Sequence, residues 1–163
     1  VADRATLVLV RAMAYDRALA ERASAPLRVG VVHGAERGHR RTADAVMQTL
    51  QGLQGVEVSG LPLGEPSAIE WSEASDDTAA LQGLGAVVLA AGVSEQATRA
   101  IAAFCDEHDV LLLSVDAAGV DWGAAVGVQV RSGHALGLVV SRAAAGSQGA
   151  RMSGELLSMA DVR

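Results

Sequence analysis

Two runs, Ala86-Val87-Val88-Leu89-Ala90-Ala91 and Val110-Leu111-Leu112-Leu113-Ser114-Val115, constrain the fold more than any other feature of the chain. Each is almost wholly apolar and lacks the alternation of a strand that wets one face. Such strands are stable when both faces of their sheet are covered, and the segment between the two runs supplies a cover. Ser94 is placed as its N-cap, Glu95 falls in its first turn, and Ala97, Ile101, Phe104 and Cys105 share one face of a helix that reaches His108. Apolar strands alternating with amphipathic helices predict an α/β fold, a three-layer sandwich built on a mainly parallel sheet.

The same alternation runs through the first half. Ala5 to Arg22 reads as one opening helix, with Leu7, Val10, Ala14 and Ala18 along a face and Pro26 closing it. Leu27 to Val32 reads as a strand and His33 to Gly38 as the loop after it. Ala43, Val46, Met47, Leu50 and Leu53 then mark the inner face of a second helix. Val56 to Leu63 is the next strand expected, ended by Pro62, Gly64, Pro66 and Ser67. Ile69-Glu70-Trp71 is a short extended or helical piece. Asp76 and Asp77 read as the acidic first turn of a helix reaching Leu84, with Gly85 as its stop.

Beyond Asp116 the pattern changes. Val126-Gly127-Val128-Gln129-Val130 and Leu136-Gly137-Leu138-Val139-Val140 flank Arg131-Ser132-Gly133-His134, which predicts an antiparallel hairpin at one edge of the sheet. C-terminal helices are expected around Ala143 to Gln148 and Ser153 to Ala160. The 163 residues hold no internal repeat and no low-complexity linker, so a single domain over 1–163 is expected.

Half of the residues are hydrophobic but only 2% are aromatic, so the core must be made of Ala, Val and Leu. A net charge of -6 and the lack of aromatic platforms argue against nucleic-acid binding, which needs a basic face. The one basic cluster, Arg37, Arg40 and Arg41, reads as a solvated helix start. No run of about twenty apolar residues offers a transmembrane segment. The chain opens at Val1 with no basic and apolar leader, which neither shows nor excludes a removed signal peptide. The single cysteine, Cys105, rules out an intramolecular disulfide and reads as a buried thiol; an intermolecular or redox role would need exposure and a lowered pKa.

A search for chemistry assigns no catalytic residue, cofactor site or metal site. The glycines Gly34 and Gly38 in the His33 to His39 loop do not make GxGxxG, and the loop has no GK[ST] ending, so it reads as an ordinary strand-to-helix turn. His33, His39, His108 and His134 fall in separate segments. Cys105 and His108 could give a metal two ligands, short of a site. Ser114 and Ser141 sit at strand ends without a GxSxG elbow. Ligands of open α/β sheets gather beyond the carboxyl ends of the strands, which makes His33, Gly34, Gly92, Asp116 and Asp121 the candidate ligand edge. Asp116 and Asp121 are the best acid/base candidates there, with helix or turn capping as their plainer role.

The closing segment carries no nucleophile, metal ligand or phosphate cradle, which points to packing and interaction. Its order is a strand, an alanine-rich helix Ala143-Ala144-Ala145, Gly149, Arg151, Ser153 and the pair Leu156-Leu157. It resembles the YfiR-like family, whose members end with a strand carrying an asparagine, an alanine-rich helix, a glycine, a basic residue, a serine and paired leucines. Ser141 stands at the asparagine position. The hairpin before it and the opening helix through Tyr15-Asp16-Arg17 resemble the family as well, and Cys105 is alone where better-known members carry paired cysteines. The resemblance implies a non-enzymatic periplasmic regulator that forms a homodimer and restrains a membrane-bound signalling protein, in known cases a diguanylate cyclase of cyclic di-GMP signalling. Two other readings stay open beside it. One is a small-ligand-binding or enzymatic α/β domain using the carboxyl edge. The other is one lobe of a solute-binding protein, against which the length argues, since two lobes exceed the usual domain size of about 100–150 residues.

Overall fold

A computed structural model describes residues 1–74 and 77–163. In chain order the elements are α1 (Ala2–Ala14), α2 (Leu19–Arg22), β1 (Val29–His33), α3 (Arg37–Gly52), β2 (Glu57–Val58), β3 (Leu61–Pro62), β4 (Ser67–Glu70), a 3₁₀ turn (Asp77–Leu81), β5 (Ala86–Leu89), α4 (Glu95–His108), β6 (Leu111–Ser114), α5 (Ala118–Asp121), β7 (Val126–Val130), a second 3₁₀ turn (Ser132–His134), β8 (Leu136–Val140), α6 (Arg142–Ser147), α7 (Gly154–Met159) and β9 (Asp161–Val162). Seven strands make one sheet in the order β4-β1-β5-β6-β7-β8-β9. From β4 to β7 the neighbours are parallel; β8 is antiparallel to β7, and β9 is parallel to β8.

The period of two along each strand divides the core between the faces of this sheet. Val29, Val31, Val88, Leu111, Leu113 and Val126 point to one side, where Leu9 and Met13 of α1, Val46 and Leu50 of α3 and Leu156 of α7 cover them. Val32, Val87, Leu89 and Leu112 point to the other, against Ile101, Phe104 and Cys105 of α4 and against Trp71, Leu81 and Leu84. The three-layer α/β sandwich with a mainly parallel sheet is therefore the fold, and its core is aliphatic as the composition requires. No described helix is long and apolar enough to cross a membrane.

Five local expectations need correction. The opening helix does not run from Ala5 to Arg22; α1 ends at Ala14, and the chain leaves the helix so that Asp16 can bond to the closing segment. Val56 to Leu63 is not a strand of the main sheet. Ser59 and Gly60 both have positive φ (52° and 86°), the geometry of a two-residue hairpin turn, and the run folds back on itself as β2 and β3. On its other side from β5, β1 pairs with β4, a mostly exposed strand; Ile69 and Glu70 are extended, one of the two forms expected of them, but the strand begins at Ser67, where a loop was expected. The β7–β8 hairpin forms in the expected residues, but β9 lies outside it and is the true edge. Of the acidic pair, Asp77 opens a 3₁₀ turn that stops at Leu81, short of Leu84, and Asp76 lies outside the described residues.

The serines that open three helices act as caps: the hydroxyl oxygens of Ser94, Ser141 and Ser153 accept hydrogen bonds from the backbone N–H groups of Ala97, Ala144 and Leu156 at 3.1, 3.2 and 3.3 Å. Asparagine can make the same bond, which gives the residue at position 141 a physical role shared by both side chains. Ser141→Ala should lower unfolding free energy by about 1 kcal/mol in urea titrations, while Ser141→Asn should stay within about 0.5 kcal/mol of the parent. Equal losses in both variants would show that capping is not what this position does.

Candidate functional site

The strands β1, β5 and β6 are in register, with Val32 opposite Leu89 and Leu89 opposite Ser114, so their carboxyl ends form one edge. The chain leaves β1 through His33 and Gly34, and the Gly34 N–H donates to the Ala91 carbonyl at 2.8 Å, joining the first two loops. His33 is buried, with ring Nδ1 2.8 Å from the Gly34 carbonyl, an acceptor that requires the hydrogen on Nδ1. Gly92 has φ 74°, and a side chain on it would collide with the ring of His39, which also lies against Gly34. The imidazole of His39, from the first turn of α3, thus fills the notch between the two glycines. Its Nδ1 is buried there without a hydrogen-bond partner among the described residues.

Asp116 and Ser114 hold the next loop. The Asp116 carboxylate accepts from the Gly119 N–H at 3.2 Å, and its own N–H donates to the Ser114 hydroxyl at 3.3 Å, the capping arrangement that short polar side chains adopt at turns. Gly92 and Asp116 both line a small cavity with Thr98, Ser114, Gly119 and Trp122. Its volume of about 30 Å³ suits one water, far below the several hundred Å³ of a ligand pocket. Asp121 is turned elsewhere, paired at 2.7 Å with Arg163. The edge therefore brings together His33, Gly34 and Gly92, adds His39, reaches Asp116 through the small cavity, and leaves Asp121 apart.

The second constellation is at the tail. Asp16 is wholly buried, with one carboxylate oxygen accepting from the backbone N–H groups of Ala18 and Arg151, both at 3.0 Å, and the other 2.6 Å from the Arg22 guanidinium. Arg22 in turn donates to the carbonyls of Gly149 at 2.9 Å and Asp109 at 3.2 Å. The Tyr15 carbonyl accepts from the Ser153 N–H, and the Arg17 N–H donates to the Arg151 carbonyl, each at 3.0 Å. Gly149 has φ 80° and a Cβ there would come within 2.7 Å of the Arg22 side chain, so glycine is required twice over. Leu156 is fully buried and Leu157 half-buried against the same core. Among the described residues the Arg151 side chain pairs with Glu21 alone, in solvent; its backbone is what the junction uses.

Sequence reasoning picked out Tyr15-Asp16-Arg17 and the tail separately and had no signal that they meet. It missed Arg22, His39 and Gln148, a buried glutamine whose oxygen accepts from the Leu112 N–H at 2.8 Å while its nitrogen donates to the Gly123 carbonyl. Cys105 is buried, and burial, with the Asp106 charge beside it, pushes its thiol up to about 12, the opposite of a reactive cysteine. His108 stacks on Phe104 at 4.1 Å and donates through Nδ1 to the Phe104 carbonyl. Among the described residues no three acidic, His or Cys side chains gather as a metal site needs. Beside the tail junction a groove of about 650 Å³ opens between α1, β8 and α7, with Val8, Tyr15, Leu136, Leu138 and Met159 on its walls.

No family model matches the chain, and no curated protein matches it by sequence. Solved structures do match in fold. A conserved domain protein from Vibrio cholerae is 13% identical, with a TM-score of 0.61 over 99% of this chain and 59% of the other. The ligand-free, open structure of a substrate binding protein with adhesive properties from Clostridium difficile is 12% identical, with a TM-score of 0.64 over 90% and 57%. The ABC domain in complex with L-Trp from Streptococcus pneumoniae is 11% identical, with a TM-score of 0.61 over 93% and 60%. The chain spans somewhat less than two thirds of the length of each, and at these identities the likeness is one of fold.

The buried Asp16–Arg22 pair yields a sharp expectation. Removing either partner leaves an uncompensated charge or orphaned donors, so Asp16→Ala should cost about 3–5 kcal/mol in denaturant titrations, and Arg22→Met a similar amount. The double variant should cost clearly less than the sum. Strict additivity would mean that the two side chains contribute independently and that the junction is held by other contacts.

Proposed function

We propose that this chain is a YfiR-like regulatory domain without catalytic activity, which dimerises in the periplasm and binds a membrane-bound signalling protein of the diguanylate cyclase kind. The observation that carries the reading is the junction around Asp16. The opening segment Tyr15-Asp16-Arg17 and the tail Gly149 to Leu157 are the parts of the sequence that resemble the family, they lie more than 130 residues apart, and they bond directly to each other. Short matches that arise by chance have no reason to meet in space; matches that belong to one structural unit do. The apolar groove beside the junction supports an interaction role, since its uncovered surface suits a protein interface. The purified domain should bind the periplasmic part of a membrane protein encoded beside it, and deletion of its gene should raise cyclic di-GMP. No binding, together with an unchanged cyclic di-GMP level, would remove this reading.

A second reading, binding of a small ligand at the carboxyl edge, draws its support from the fold neighbours, one described as a substrate binding protein and one as a complex with L-Trp. In this reading the imidazole of His39 occupies the notch that a ligand would enter, and it has to swing out. His39→Ala should then bind L-tryptophan more tightly than the parent in calorimetric titration. Heats indistinguishable from dilution in both proteins would set this alternative aside for that ligand.

A further inference from the structure

A second concavity lies at the opposite edge of the sheet from the one just described. Arg28, Gly85 and Val110 immediately precede β1, β5 and β6, and all three line a cavity of about 670 Å³, within the range of about 300–1,000 Å³ that small-molecule sites occupy. Its charge is unlike that of the rest of the molecule. The chain has 19 acidic residues against 13 basic ones, yet the cavity is lined by two arginines and a histidine and by no carboxylate among the described residues. Arg22 is neutralised by Asp16. Arg28 is exposed, and no described carboxylate pairs with its guanidinium, leaving a cation free beside Gly83 and Gln82.

The C-terminal end of α4 also faces this cavity, and a helix C-terminus by itself repels anions. Here three carbonyls around that end are engaged. The Phe104 carbonyl takes the His108 ring N–H, the Cys105 carbonyl takes the Val110 N–H, and the Asp109 carbonyl takes Arg22. Because His108 Nδ1 is committed inward, its Nε2 is the ring atom left for a ligand. Leu84 and the Phe104–His108 stack give the cavity an apolar wall next to these polar groups. Inorganic phosphate would leave that wall bare.

We propose that this cavity is a binding site for a small carboxylate with a flat apolar body, the carboxylate on the Arg28 guanidinium and the body against Leu84 and the Phe104–His108 stack. The charge-assisted bond to Arg28 supplies the preference for an anion, and the apolar wall supplies the preference for its shape. The cavity touches the tail junction through Arg22, but the proposed ligand contacts, Arg28, Leu84 and the Phe104–His108 stack, make none of the junction's bonds, so failure of the proposal would leave the regulatory reading untouched.

Naphthalene-2-carboxylate and its uncharged twin naphthalene-2-carboxamide are the probes, titrated into the intact chain by calorimetry. The carboxylate should bind with one-to-one stoichiometry and a sub-millimolar Kd, and the carboxamide at least about tenfold more weakly, a difference of about 1.4 kcal/mol. Arg28→Gln should remove that preference while the melting temperature holds, because the Arg28 side chain carries no structural bond. Arg40→Gln, which alters an exposed arginine on the far edge, should bind like the parent. Absence of carboxylate binding, equal affinity for the two probes, or an unchanged preference in Arg28→Gln would each overturn the proposal.

Discussion

Asp16 and Arg22 face each other at 2.6 Å with almost no access to water, and the docking of the closing segment on the opening one is tied to that contact. A buried ion pair is a poor source of net stability, because desolvating both charges offsets most of their attraction. It is a strong source of specificity, because each remaining lone pair and N–H must find a partner. Asp16 and Arg22 find theirs in the backbone of the tail, in the end of α4 and in the turn after Asp16 itself. The pair therefore fixes where α1 ends and how the closing segment docks. Gly149 is a consequence of the same contact, since Arg22 occupies the space its side chain would need.

The parts of the fold legible in the sequence are those whose signal is local. The runs through Val87 and Leu112 announce themselves as doubly covered strands, Ser94 announces a helix start, and the hairpin from Val126 to Val140 is marked by its turn. The misread parts depend on something distant. The apolar spacing near Asp16 does not say that the helix must stop there; the bonds Asp16 makes with Ala18, Arg22 and the distant Arg151 do. The strand β4 is a short, exposed edge of mixed residues, so a search for apolar runs passes over it, and Ser59-Gly60 was a turn signal hidden inside an apparently continuous strand. For the candidate ligand edge, His33, Gly34, Gly92 and Asp116 were legible from topology alone. The ring that fills the notch between the glycines, His39, was not, since its position is set by the docking of α3 on β1.

The two edges of the parallel sheet differ in kind. At the carboxyl edge the loops close on themselves through short backbone bonds, a capped turn at Asp116 and the His39 ring, leaving room for about one water. At the amino edge the connections stand apart, and the gap is faced by Arg28, unpaired among the described residues, beside an apolar wall, with no described carboxylate, in an otherwise acidic molecule. The same parallel topology that makes the carboxyl edge the usual place for ligands has here been filled by the protein's own atoms.

The small strand β9 has a meaning beyond completing a strand count. The backbone of β8 would otherwise present an open row of hydrogen-bonding groups, the kind of surface on which a foreign strand can add and start aggregation. Asp161 and Val162 pair with that row, while Arg142 and Arg163 exchange further backbone bonds around Val140. Asp161 within β9 and Arg163 just after it carry opposite charges, which an added strand would have to face. The short strand covers the Val139–Val140 end of β8, so that a foreign strand cannot pair with the hairpin there.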